Sequence, residues 1–120
     1  MTPLPDDALV VRGGLCLPES FEKGSGVALD ATGKLDNVSV NAGAGLSLAD
    51  LTKPNPQTGY PGIRNGQVGV TTAGEIRKLG GEVESAPTRS NPLHGQFRGL
   101  TPDQAERLFR PTVPNPNRSP

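Results

Sequence analysis

The sequence predicts a small α+β domain, a twisted and mainly antiparallel sheet carrying two or three short helices. Three observations lead there. Short apolar stretches alternate with period two and are bounded by Gly, Pro, Asn or Asp. Two segments, at Thr72 and at Thr101, carry helix-capping residues before an apolar stripe. The chain of 120 residues is one ordinary domain, long enough for a modest core. The expected boundaries are 1–111 for the domain and 112–120 for an extended or frayed tail with three prolines and almost no apolar residues.

The first expected strand is Ala8 to Val11, which runs into Arg12-Gly13-Gly14 and so places Arg12 at its end. Val27 to Asp30 and Leu35 to Val40 flank Ala31-Thr32-Gly33, a turn signal because glycine takes positive φ without strain. On the second strand of that hairpin, Val38 and Val40 share the core-facing parity, while Leu35, Asn37, Ser39 and Asn41 share the other, a largely polar strip. Thr52 to Gly66 is rich in Pro, Gly and Asn and reads as a long mobile loop with only Tyr60 and Ile63 as anchors.

The strand Gln67 to Thr71 leads into a helix capped by Thr72, with Glu75 placed to reach back in a capping box. In that helix Ile76 and Leu79 are three apart on one face, Arg77 and Lys78 suit its negative end, and Gly80-Gly81 ends it. Strands Glu82 to Ser85 and Gly95 to Leu100 follow. Thr101-Pro102-Asp103-Gln104 then combines an N-cap, proline at the first helical position, an acid in the first turn and a reciprocal glutamine. Ala105, Leu108 and Phe109 form an apolar stripe on this last helix, which Pro111 terminates.

Composition excludes several function classes. Sixteen glycines and thirteen prolines make about a quarter of the chain, and Leu, Ile, Val and Phe about a fifth, just above the level at which chains stay disordered. Twelve basic residues balance twelve acidic ones, so no global field draws the protein to DNA, RNA or a membrane. No stretch approaches the roughly 20 apolar residues of a membrane span, and the N-terminus lacks a signal peptide's charged start and apolar core. A cytoplasmic protein is expected. One Cys and one His leave too few soft ligands for a metal centre. One Tyr, three Phe and no Trp argue against a stacking surface for single-stranded nucleic acid.

The candidate chemistry is local. Arg12 puts a permanently charged fork at a strand end beside Gly13 and Gly14, which suits a phosphate or carboxylate; pairing with an acid at the sheet edge is the plainer alternative. His94 is the sole histidine, the residue type best suited to proton transfer near neutral pH. Alternation puts Gln96 and Arg98 on its face, a trio able to bind phosphodiester oxygens, although a histidine held by loop carbonyls is as natural. Asn37 and Ser39 with Asn41 offer short polar groups to an amide or ribose, and Thr71 with Thr72 could receive an anion at a strand-to-helix turn. Gly24-Ser25-Gly26 lacks the Gly-Lys-Ser/Thr ending of a phosphate loop, and no Gly-x-Ser-x-Gly elbow is present.

Val10-Val11-Arg12-Gly13-Gly14, Gly69-Val70-Thr71-Thr72-Ala73-Gly74-Glu75-Ile76-Arg77, Asn91-Pro92-Leu93-His94 and Gly99-Leu100-Thr101-Pro102-Asp103-Gln104-Ala105 together resemble a family of short bacterial toxin-module proteins. The resemblance runs along nearly the whole chain. The arginine strand and the following serine strand are similar to bacterial toxins of ADP-ribosyltransferase-like fold, including a small secreted type VI effector. The resemblance implies a toxin acting in a bacterial cytoplasm, its own or a target cell's, with a cognate antitoxin or immunity protein as partner. It implies NAD as substrate, with Arg12 binding the dinucleotide, Ser39 shaping the pocket and Gln96, with His94, completing catalysis; Gly13, Asn37 and Thr71 stand beside these as candidates for holding the nucleotide by residue type. The sequence departs from the superfamily pattern in having no Ser-Thr-Ser run and no Glu-x-Glu or Gln-x-Glu pair on the strand that carries Gln96. The alternatives are a ribonuclease toxin using His94 and Arg12, and a non-catalytic domain that docks a partner through its proline-rich loop and tail, with the stripe of Ala105, Leu108 and Phe109 partly exposed for it.

Overall fold

In a computed structural model, which describes residues 2–118, nine strands and four short helices alternate. The strands are β1 (Thr2–Pro3), β2 (Leu9–Gly13), β3 (Ala28–Leu29), β4 (Leu35–Asp36), β5 (Val38–Gly43), β6 (Gln67–Thr72), β7 (Glu82–Ser85), β8 (His94–Arg98) and β9 (Val113–Pro114). The helices are α1 (Pro18–Glu22), α2 (Leu48–Thr52), α3 (Ala73–Lys78) and α4 (Pro102–Phe109). Seven strands form one antiparallel sheet in the order β1-β7-β8-β5-β2-β6-β9, and β3 pairs with β4 in a separate hairpin. The mixed α+β class is thus as expected, with four helices in place of two or three. No helix among the described residues is long and apolar enough to cross a membrane.

Strand alternation sorts the core onto two faces. Val10, Val38, Val40, Ala42, Val83 and Phe97 face α1, α3 and α4 in the larger cluster, where the rings of Phe21, Phe97 and Phe109 meet with centroids 5.6–6.0 Å apart. Val11 and Val68 face the other way, against Leu51 of α2 and Ile63 of the following segment. The apolar stripe of α4 belongs to the larger cluster: Ala105 and Phe109 are fully buried, and Leu108 packs against its rim.

The helix ends show how local chemistry places these elements. Thr101 Oγ1 accepts from Gln104 N–H at 3.2 Å while Gln104 Oε1 accepts from Thr101 N–H at 3.0 Å, the expected capping box. At α3 only half of the box forms. Thr72 Oγ1 accepts from Glu75 N–H, but the Glu75 carboxylate turns to Lys78 at 3.1 Å. The missed α2 carries its own box, Ser47 with Asp50, a signal present in the sequence. The missed α1 has Pro18 in its first turn and no side-chain cap.

Three expectations need correction. The strand expected over Leu35 to Val40 is broken at Asn37, whose φ of 62° is left-handed and is tolerated by Asn better than by most residues. This break lets Leu35 enter the core although Ser39 remains exposed. Arg12 lies within β2 rather than beyond a strand ending at Val11. The segment expected to be a mobile loop is tied down: Ile63 N–H donates to Thr52 O, Asn55 bridges Tyr60, and Asn115 Nδ2 donates to the carbonyls of Ile63 and Asn65. In the tail, β9 is extended. Val113 and Pro114 pair with the edge of β6, where proline's missing donor faces outward, and Asn115 is buried. Residues 119 and 120 lie outside the described residues.

One ion cluster joins distant parts of the chain. Arg77 donates to Asp6 at 2.6 Å and to Glu82 at 2.7 Å. Burial pushes the Glu82 carboxyl up, but the Val83 N–H and Arg77 together outweigh it and hold the group below its ordinary value. A carboxyl lowered in the folded state contributes stability above its unfolded pKa, and that contribution is lost as pH falls through the folded value. Glu82→Gln is therefore expected to lower the urea midpoint near pH 7, with the gap to the parent protein closing toward about pH 3. A gap that stays constant between those two pH values, in parallel urea titrations, would contradict this assignment.

Candidate functional site

The site is a split in the sheet. β2 and β5 are paired only as far as Val11 opposite Asn41, and beyond that rung they separate. Alternation along each strand fixes which peptide edges face the opening. Gly14 N–H bonds to Gln67 on β6 and Ala42 N–H to Leu93 on the β8 side, so the peptides of Gly13 and Ser39 turn toward each other across the gap instead. Over it lies a cleft of about 450 Å³ lined by Arg12, Gly13, Ser39, Asn41, Tyr60, Arg64, Asn65, Asn91 and His94 among others. None of its lining residues is Asp or Glu.

Arg12 forms the floor of this cleft. Its side chain follows the parity of Val10 and therefore lies on the opposite face from the side chains of Ser39 and His94. From there the guanidinium stacks over Phe21, 5.4 Å from the ring centroid, and bridges the split: Nη1 donates to Ser39 O at 2.6 Å and Nη2 to Ser20 O at 3.2 Å. Two of the five guanidinium N–H groups are thereby used. Arg12 forms no ion pair among the described residues, so the expected edge carboxylate is absent and backbone carbonyls take its place. Desolvation lowers the pKa of the group, opposed by the nearby Cys16 thiol. A partly buried cation with spare donors and no counter-charge is a receptor for an anion.

His94 faces the cleft from the first position of β8. Its Nδ1 lies 2.7 Å from Ala86 O and its Nε2 3.1 Å from Ser39 Oγ. A carbonyl only accepts, so Nδ1 carries a proton, and in the neutral ring Nε2 presents its lone pair to the Ser39 hydroxyl. Ser39 is exposed, whereas the neighbouring amides are buried and committed. Asn41 Nδ2 donates to Leu51 O and Tyr60 Oη, and Asn91 Nδ2 donates to Asn41 Oδ1. This amide chain pins the 60–65 segment over the cleft. A Cβ at Gly13 would lie 2.2 Å from Asn65 Oδ1 and 2.8 Å from Ile63 Cγ2, so a side chain there would displace both.

The structure therefore brings Arg12, Gly13, Ser39 and His94 to one cleft. It does not bring the other candidates with them. Asn37 and Gln96 line a separate, smaller cavity of about 210 Å³ with Asp36, Glu84 and Arg98, and Asn37 Nδ2 donates to Gly26 O. Arg98 pairs with Glu84 at 3.2 Å, which breaks up the expected trio of His94, Gln96 and Arg98. Thr71 is buried opposite Val10 on the larger-core parity, away from the cleft lining. Sequence reasoning missed Tyr60, Arg64, Asn65 and Asn91, which reach the site through folding of the 53–66 and 86–93 connections; no periodicity marks such residues. It also missed Glu84, which stands opposite Gln96 and so continues the row Ser39, Gln96, Glu84 across three strands.

Among the described residues no three His, Cys, Asp or Glu side chains gather to hold a metal ion. No protein-family model, curated protein or solved structure matches the chain.

Proposed function

We propose that the protein is a bacterial intracellular toxin domain acting on a nucleotide or nucleic-acid substrate, with a substrate phosphate seated in the split between β2 and β5. The observation that carries this reading is Arg12, a cation without a carboxylate partner at the base of a cleft whose lining contains a second arginine, one histidine and no acid. Such a lining attracts phosphate and repels nothing negative. Two chemistries fit within it. Transfer of ADP-ribose from NAD, in the manner of the toxins the sequence resembles, is supported by the Arg12 end of the cleft; its carboxylate would have to come from outside the lining, where Glu84 stands beside Gln96 and pairs with Arg98. Ribonuclease chemistry is favoured by the His94 lone pair aimed at a hydroxyl. The non-catalytic reading loses the exposed stripe it called for, since Ala105 and Phe109 are buried.

Tightly repressed expression in a bacterium tests the proposal. Induction of the wild type is expected to arrest growth, and Arg12→Ala or His94→Ala to relieve the arrest by at least about tenfold in surviving colonies. Unchanged growth on wild-type induction refutes the toxin, and full toxicity of both variants refutes the site. Incubating lysate with labelled NAD, and separately with RNA, then separates the two chemistries.

A further inference from the structure

Ser39 and His94 form more than a polar contact. A hydroxyl becomes a nucleophile when a base stands within hydrogen-bond reach and a third group fixes the base's orientation. All three parts are present: the Ser39 hydroxyl, exposed to the cleft; His94 Nε2 at 3.1 Å from it; and Ala86 O at 2.7 Å from Nδ1, which sets the tautomer. The serine is also held from behind, because its own carbonyl accepts the Arg12 guanidinium. Its peptide edge and that of Gly13 face the split in which an anionic centre would lie.

We propose that Ser39 is a catalytic nucleophile with His94 as its general base, and that the electrophile is the phosphorus of a phosphodiester. The choice of phosphorus rests on the phosphate-binding reading above. In the first step Ser39 passes its proton to His94 Nε2 and its Oγ bonds to phosphorus; the bond from phosphorus to the departing ribose oxygen breaks on the side opposite Oγ, and that oxygen takes a proton from water, leaving hydroxide. The product is a phosphoseryl diester and a free alcohol. In the second step that hydroxide bonds to phosphorus from the side opposite Oγ, and Ser39 Oγ leaves, takes back the proton held on Nε2 and is a serine again. Arg12 and the two open peptide edges face the oxygens on which negative charge builds. Arg12 is set to do this without moving, since its planar fork is already fixed by the two carbonyls.

The test uses purified full-length protein and an alkyl fluorophosphonate, whose phosphorus accepts the serine oxygen as fluoride leaves. Intact mass is expected to show one adduct per chain, peptide mapping to place it on Ser39, and Ser39→Ala to abolish it. His94→Ala and His94→Gln are each expected to slow labelling by about 100-fold or more, with circular dichroism confirming that the variants are folded. No adduct on the wild type, an adduct confined to another residue, or labelling of folded His94 variants at the wild-type rate overturns the proposal. Labelling reads neither growth nor nucleotide binding. A harmless protein that labels on Ser39 keeps the nucleophile and loses the toxin; a toxic one that does not label does the reverse.

Discussion

Phe97→Ala is expected to cost about 3–5 kcal/mol, the usual range for deleting a fully buried aromatic side chain. Phe97 has no solvent exposure and lies where the sheet meets two helices, in edge contact with Phe21 at 6.0 Å and stacked on Phe109 at 5.7 Å. Phe21 and Phe109 also touch each other, at 5.6 Å, so the three rings form a closed cluster that holds α1 and α4 against β8. A cavity there cannot collapse without moving a helix. Stability of a domain this size is ordinarily about 5–15 kcal/mol, so the variant sits near the limit of folding. Urea denaturation of Phe97→Ala against Phe97→Leu, which keeps much of the volume, measures this; a loss below about 1 kcal/mol for the alanine variant would mean that the cluster is not the keystone of the packing.

Arg12→Ala is expected to act twice, on the fold and on the ligand. Two charge-assisted hydrogen bonds to carbonyls on β5 and α1 disappear along with the stacking on Phe21; because the groups are only partly buried, the cost is about 2 kcal/mol. Loss of the guanidinium also weakens phosphate binding by about 10- to 100-fold, the worth of one charged hydrogen-bonding contact of about 1.5–3 kcal/mol. Arg12→Lys is not conservative here, since an ammonium on a flexible stem cannot bridge two carbonyls and still present a planar fork. Calorimetric titration with adenosine diphosphate, alongside urea denaturation, reads both effects. Alanine and lysine variants that bind like the wild type would move the phosphate elsewhere than the split.

These two residues also show how unevenly the sequence discloses the molecule. Phe97 and Phe109 sit on apolar parities that can be read along a line of text, and the Thr101 to Gln104 box announces α4 within four residues. Phe21 does not, because α1 is one short turn with no side-chain cap. Alternation after Asn37 assigns Val38 and Val40 to the core and Ser39 to the cleft correctly, yet the same rule misplaces Leu35, since one left-handed residue shifts the parity of everything before it. Arg12, Ser39 and His94 were legible as candidates by residue type. That Arg12 approaches from the opposite face, and meets Ser39 through a carbonyl, was not.

Composition, spacing and capping chemistry by themselves determined a mixed α+β domain, most of its strands and two of its four helices. Those features are local, and φ preference, alternation and side-chain caps act over a few residues. The tertiary structure alone decided where β2 and β5 part, which carbonyls replace the carboxylate expected beside Arg12, and which hydroxyl stands opposite the single imidazole. Each is a contact between positions far apart in the chain, 27 residues for Arg12 with Ser39 and 55 for His94 with Ser39. Such contacts exist only after the sheet has ordered its strands, and strand order comes from packing the two faces at once rather than from any one stretch of residues.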